Sequence, residues 1–191
     1  MKKQWILRGI VGAMASVVVL SGLPIVRAQE TKRRIDSSPR AETVQRIGVF
    51  DVKVTYHRPG VKGREIWDTN IVPYNGNPMP WRAGANENTV FEFETDVKID
   101  GQLLPAGKYG FHIIPTATAW TLIWSTDNAG WGSFRYKPEN DALRIQVTPT
   151  EGPHEEWLRY GFDELTATSA TGYLAWEKKR VSFKIELARA E

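Results

Sequence analysis

From Phe50 onward the chain is written in a period of two. Phe50, Val52, Val54 and Tyr56 alternate with Asp51, Lys53 and Thr55, which puts the apolar side chains on one face of an extended strand and the polar ones on the other. Phe91 and Phe93 alternate with Glu92 and Glu94, and Val181, Phe183, Ile185 and Leu187 alternate with Ser182, Lys184 and Glu186. Gly, Pro, Asn and Asp stand between such runs, and no segment repeats its apolar residues at the 3.6-residue period of a helix. A chain patterned this way has no helices with which to cover its apolar strand faces, so it must lay one sheet on another.

The remaining strands follow from the same signals. Residues 97–99 and 103–104 flank Asp100-Gly101, a pair that accepts the positive φ of a type I′ hairpin. Residues 109–114, 120–125, 142–148, 156–165, 172–176 and 181–187 are predicted strands, with Trp120, Leu122 and Trp124 sharing one face. Only 155–162 is also compatible with a partly helical course. The predicted fold class is all-β: a single antiparallel β-sandwich of jelly-roll or immunoglobulin-like type, filled by large rings from both inner faces.

The N-terminus has a different grammar. Lys2, Lys3 and Arg8 precede an uncharged apolar run over 10–26, and Val26-Arg27-Ala28 supplies the small residues a signal peptidase reads. Residues 1–28 are therefore predicted to be a signal peptide, with an uncleaved anchor as the alternative; in that case the leader alone meets the membrane. Export to the periplasm or beyond follows as an expectation. Residues 29–45, polar and rich in Lys and Arg, read as a flexible linker, and 46–191 as the sandwich domain. The split also explains the charge. The whole chain is +3 with a pI of about 9.1. Taking the leader's four basic residues from the 25 Lys and Arg leaves 21 against 22 acidic side chains, so the basic balance that would suggest nucleic acid leaves with the leader. There is no cysteine, which excludes disulfide scaffolds, thiolate metal sites and cysteine nucleophiles.

Residues 81–89, Trp-Arg-Ala-Gly-Ala-Asn-Glu-Asn-Thr, are too polar for a central strand and too structured in composition for a linker. Together with Tyr56-His57-Arg58-Pro59, Lys62-Gly63-Arg64, Val72-Pro73-Tyr74, Leu104-Pro105-Ala106-Gly107-Lys108-Tyr109, Ile114-Pro115, Trp120, Trp131-Gly132 and Trp176-Glu177, this stretch resembles a family of secreted bacterial proteins catalogued as domain of unknown function 2911. The resemblance runs from about Val49 to Leu187. It implies an exported, β-rich protein and assigns no activity. One difference is the connection Asn75-Gly76-Asn77-Pro78-Met79-Pro80, which is longer than in that family and borders the motif.

No nucleophile elbow, phosphate-cradling glycine loop, dinucleotide fingerprint or metalloprotease helix motif is present. Two ligand chemistries remain. In the first, Tyr56, Arg58, Trp81, Arg82, Asn86 and Glu87 form a binding site for an anion or polyol, with guanidinium groups taking a carboxylate or phosphate and the Trp81 ring stacking. The competing structural account has Arg82 and Glu87 pairing with each other to fix the loop. In the second, His57 and His112 supply imidazoles and Glu87 a carboxylate to a divalent metal, the ligand set of a small hydrolase. Both histidines fall on the polar phase of their strands, so both are expected on a solvent- or cleft-facing side. Asn128-Ala129-Gly130-Trp131-Gly132 is either a lid over a cleft or a plug at a sandwich edge. The favoured expectation is a non-enzymatic ligand-binding or envelope-associated module that needs no cofactor and whose partner is a small molecule, a glycan or an envelope protein. A metal-dependent hydrolase and a structural interaction module are the alternatives.

Overall fold

The alternating runs become two antiparallel sheets. The computed structural model describes residues 35–77 and 79–188; the predicted leader lies outside them. The strands are β1 (Arg40–Ile47), β2 (Phe50–His57), β3 (Thr89–Phe93), β4 (Val97–Ile99), β5 (Gln102–Leu104), β6 (Gly107–Pro115), β7 (Trp120–Ser125), β8 (Asp141–Val147), β9 (Thr150–Asp163) and β10 (Ser169–Leu187). One sheet has the order β1-β2-β3-β6-β7-β8 and the other β5-β4-β10-β9. The two form an open β-sandwich.

The inner faces are those the alternation predicts. Phe91 and Phe111 from the larger sheet meet Phe183 from the smaller at centroid distances of 5.8 and 6.2 Å, and Trp124 meets Phe183 edge-on at 5.2 Å. At another part of the core Trp67, Trp81, Trp120 and Trp176 pack together, with Trp67 4.9 Å from Trp120 and Trp81 stacked 5.8 Å from Trp176. Rings of this size fill the gap between two sheets with few side chains and supply much of the apolar burial. The hairpin at Asp100-Gly101 forms, with φ of 46° and 81° at the two turn residues.

Three boundaries differ from the sequence reading, each for a physical reason. The sandwich starts at Arg40 rather than 46, because β1 pairs in register with β2 along its whole length, from Arg40 opposite His57 to Ile47 opposite Phe50. As the edge of its sheet, β1 is held by backbone pairing and by Ile47 at its end, so its sequence carries little apolar alternation. The predicted strands at 172–176 and 181–187 are one strand, β10. It is bent by irregularities on either side of Glu177, whose φ of 55° turns the chain without ending the ladder. Residues 155–162 are extended, since Leu158 and Tyr160 reach the core while the backbone pairs with β10.

The connection between β2 and β3, residues 58–88, does not stay at the surface. Val61, Ile66, Val72, Trp81 and Ala83 enter the core, so this segment closes one end of the sandwich and delivers the 81–89 motif onto it.

If β1 is secured at its end, Ile47→Ala, at a site with 0% exposure, lowers unfolding free energy by about 2–5 kcal/mol. Val44→Ala, on the same strand at 52% exposure, changes it by less than about 0.5 kcal/mol. Urea unfolding of the two variants checks this.

Candidate functional site

Residues 81–89 coil rather than extend. Trp81 exchanges two backbone hydrogen bonds of 2.8 Å with Ile113 on β6. The chain then turns through Ala83, at a φ of 51°, and Asn86, at 57°. The Ala83 carbonyl accepts from the Tyr160 hydroxyl at 2.8 Å and from Thr89 Oγ1 at 3.1 Å. Gly84 follows where a Cβ would lie 2.8 Å from Thr89 Oγ1 and 3.1 Å from the His57 carbonyl, so no other residue fits without a shift. The Asn86 carbonyl accepts from Arg82 Nη1 at 2.7 Å and from the Gly132 N–H at 3.0 Å, and the Asn88 N–H donates to the Gly130 carbonyl at 3.1 Å. These last two bonds join the motif to residues 126–137, which fold back over the outer face of the larger sheet.

Strand register lines up three polar side chains beneath these loops. Thr55 opposes Val90 and Thr89 opposes Phe111, so continuing the ladders puts His57, Asn88 and His112 at one level on the outer face. The alternation predicts that face for both histidines; both are nonetheless buried because loops cover them. His57 Nε2 lies 3.3 Å from Glu87 Oε2 and 4.0 Å from Asp36 Oδ2, and Asn86 Nδ2 donates to both oxygens of Asp36 at 3.3 and 3.2 Å. His112 Nδ1 lies 2.8 Å from Ser133 Oγ. Between the two histidines, Asn88 is 8% exposed, and its Oδ1 is buried with no hydrogen-bond partner among the described residues.

The 126–137 loop encloses a cavity of about 370 Å³ lined by Asn88, His112, Asp127, Trp131, Phe134 and Arg135, among others. A smaller cleft of about 200 Å³ lies alongside, bordered by Met79, Pro80, Trp81, Arg82, Ser133 and Phe134. Phe134 borders both. The long connection before the motif thus does reach the site, through Met79 and Pro80.

Electrostatics set Arg82 apart. Its guanidinium is partly buried, and among the described residues no carboxylate forms a salt bridge with it; its one hydrogen bond goes to the Asn86 carbonyl. Burial alone lowers its pKa, the signature of a cation short of solvation. The expected Arg82–Glu87 ion pair does not form, because the left-handed residues Ala83 and Asn86 curl Arg82 back onto the loop's own backbone while Glu87 turns to His57. Burial also pushes His112 down to about 4 against the opposing pull of Asp141 and Asp127, so its ring is neutral at neutral pH. Tyr136, edge-on to His112 at 5.2 Å, is pushed up to about 12, by burial first and then by its hydrogen bond to Asp141.

The structure brings Arg82, Asn86 and Glu87 to these loops and separates the other candidates from them. Tyr56 is 3% exposed on the apolar face of β2, and its hydroxyl accepts the Tyr160 N–H at 3.2 Å. Arg58 is bound to β9, donating to the Leu158 carbonyl at 2.8 Å and the Trp157 carbonyl at 3.4 Å. Trp81 borders the smaller cleft, but at 7% exposure between Trp67 and Trp176 it serves as wall and not as stacking platform. His57 and Glu87 meet, while His112 is turned to Ser133 on the far side of Asn88. Among the described residues no group of three or more His, Asp or Glu side chains is arranged to hold a metal ion. Sequence reading missed Asn88, Ser133, Phe134 and Tyr136. The signal available was Phe134, a large apolar residue outside any alternating run, beside the Trp131-Gly132 turn.

Two measurements test this geometry. Tyr160→Phe removes a buried donor while Thr89 still serves the Ala83 carbonyl, so it costs about 1–2 kcal/mol in urea unfolding. For His112, the unfolded ring titrates near 6.5 and the folded one near 4, so in that window the unfolded chain takes up a proton the folded chain refuses. The contribution is complete above pH 6.5 and is lost as pH falls toward 4, about 3 kcal/mol in all. Unfolding curves across this range should be flatter for His112→Gln than for the unsubstituted protein.

Comparisons with curated proteins and with solved structures return no match. The sandwich from β1 to β10 and the coiled 81–89 loop coincide with the span of one family model, described as protein of unknown function (DUF2911), which matches residues 38–185; the chain belongs to that family.

Proposed function

We propose that this domain is an exported, non-enzymatic binding module that takes a small anionic ligand at Arg82. The observation that carries the reading is the Arg82 guanidinium itself: partly buried, lowered by desolvation, and without a carboxylate partner among the described residues. Burying a cation is unfavourable unless an anion compensates it. A ligand carboxylate or phosphate entering the cleft beside Ser133 and Phe134 supplies that compensation, and a guanidinium can hold it through two parallel hydrogen bonds. The Ser133–His112 pair at 2.8 Å is a weak nucleophile–base couple, because the burial that lowers His112 to about 4 leaves its ring a poor proton acceptor near neutral pH. The leader at 1–28 is the basis for placing the module in the periplasm or outside the cell.

The test separates binding from scaffolding. Calorimetric titration with acetate, succinate and inorganic phosphate at low salt should detect binding by the unsubstituted protein. Arg82→Met should weaken it at least tenfold while changing unfolding free energy in buffer by no more than about 1 kcal/mol, the worth of one hydrogen bond. A loss of about 3–5 kcal/mol with no anion bound by either protein would make Arg82 a structural residue and end this reading.

A further inference from the structure

Two exposed aromatic rings stand at the same cavity, and neither is explained by packing. Trp131 is 55% exposed and Phe134 is 68% exposed, although five other tryptophans of this domain are built into or against the core. Both rings line the 370 Å³ cavity, together with Arg135, Asp127 and Asn88, a nine-tenths buried residue whose Oδ1 has no hydrogen-bond partner among the described residues.

Gly132 ties this platform to the cation. A Cβ placed there would lie 2.8 Å from Arg82 Nη1, 3.1 Å from Arg82 Cζ and 3.3 Å from Phe134 Cε2, so the guanidinium and the Phe134 ring converge on one point of backbone. Phe134 borders both spaces, with the Arg82 cation in the cleft on one side and Trp131 and the buried Asn88 oxygen in the cavity on the other. A hydrocarbon acid has no use for the amide, and an inorganic anion has no use for the rings. A sugar ring presents C–H groups to an aromatic face and hydroxyls to amides and carboxylates, and a uronic acid adds the carboxylate that Arg82 lacks. Asp127 is compatible with this arrangement because it accepts from hydroxyls in the cavity, while the sugar's carboxylate points to Arg82 at the other side of Phe134.

We infer that the ligand is an acidic sugar, a uronate-type oligosaccharide whose carboxylate pairs with Arg82 while its rings lie against Phe134 and Trp131 and its hydroxyls reach Asn88. This rests on the Arg82 reading of the preceding section and names the class of ligand at that site.

The experiment titrates the protein with a panel of uronic-acid trisaccharides of the galacturonate, glucuronate and mannuronate series, with their methyl esters, and with acetate. At least one trisaccharide should bind at least tenfold more tightly than both acetate and its own methyl ester. Trp131→Ala, an exposed position whose loss spares the core, should erase the margin over acetate and leave acetate binding unchanged. Should acetate bind as tightly as every trisaccharide, with Trp131→Ala without effect, the sugar inference is overturned and the Arg82 anion site stands. Should the methyl esters bind as well as the acids, the carboxylate contact is refuted. If nothing in the panel binds, both readings fall.

Discussion

The Ala83 carbonyl is the point on which the site depends. It is reached from the smaller sheet by the hydroxyl of Tyr160 on β9 and from the larger sheet by Thr89 at the start of β3. Tyr160 is buried and its pKa is raised well above the ordinary value by that burial, so the donor is a neutral phenol. A carbonyl satisfied from both sheets in a buried environment holds Ala83 in a left-handed conformation that an alanine would otherwise leave. Gly84, with no space for a side chain, and Asn86, also left-handed, then follow as geometric consequences. Curvature at these residues turns Arg82 inward and Glu87 outward.

That division matters because it withholds from Arg82 the partner its sequence neighbourhood offers. Five residues along lies a glutamate, which a loop folded the other way would bring to the guanidinium. In the coiled loop Glu87 faces His57 instead, and Arg82 keeps one backbone carbonyl. A folded domain that leaves a half-solvated guanidinium beside a cleft forgoes stability there, which is the usual character of a binding site and an uneconomical way to build a scaffold.

Much of the fold is legible in the sequence because a sandwich strand declares itself by alternation. Phe50 to Tyr56, Trp120 to Trp124 and Val181 to Leu187 all present the predicted face. β1 is hidden because an edge strand needs backbone partners more than apolar side chains, and the continuity of β10 is hidden because the bulge at Glu177 interrupts the pattern without interrupting the ladder. At the site, the outward phase of His57 and His112 can be read, and so can the oddity of residues 81–89. The partners cannot. Ser133 and Phe134 reach Arg82 only because residues 126–137 fold back over the sheet, and no local pattern in that loop specifies the return.

The proposed anion-binding group of this domain is the Arg82 guanidinium. Nitrogen-resolved NMR of the arginine side chains during titration with acetate tests it most directly. If Arg82 holds the anion, its Nε and Nη signals shift saturably, with the backbone signals of Gly132 and Ser133 following and those of Arg58 staying in place. Arg82 signals that remain fixed while acetate is raised to saturating excess would contradict it.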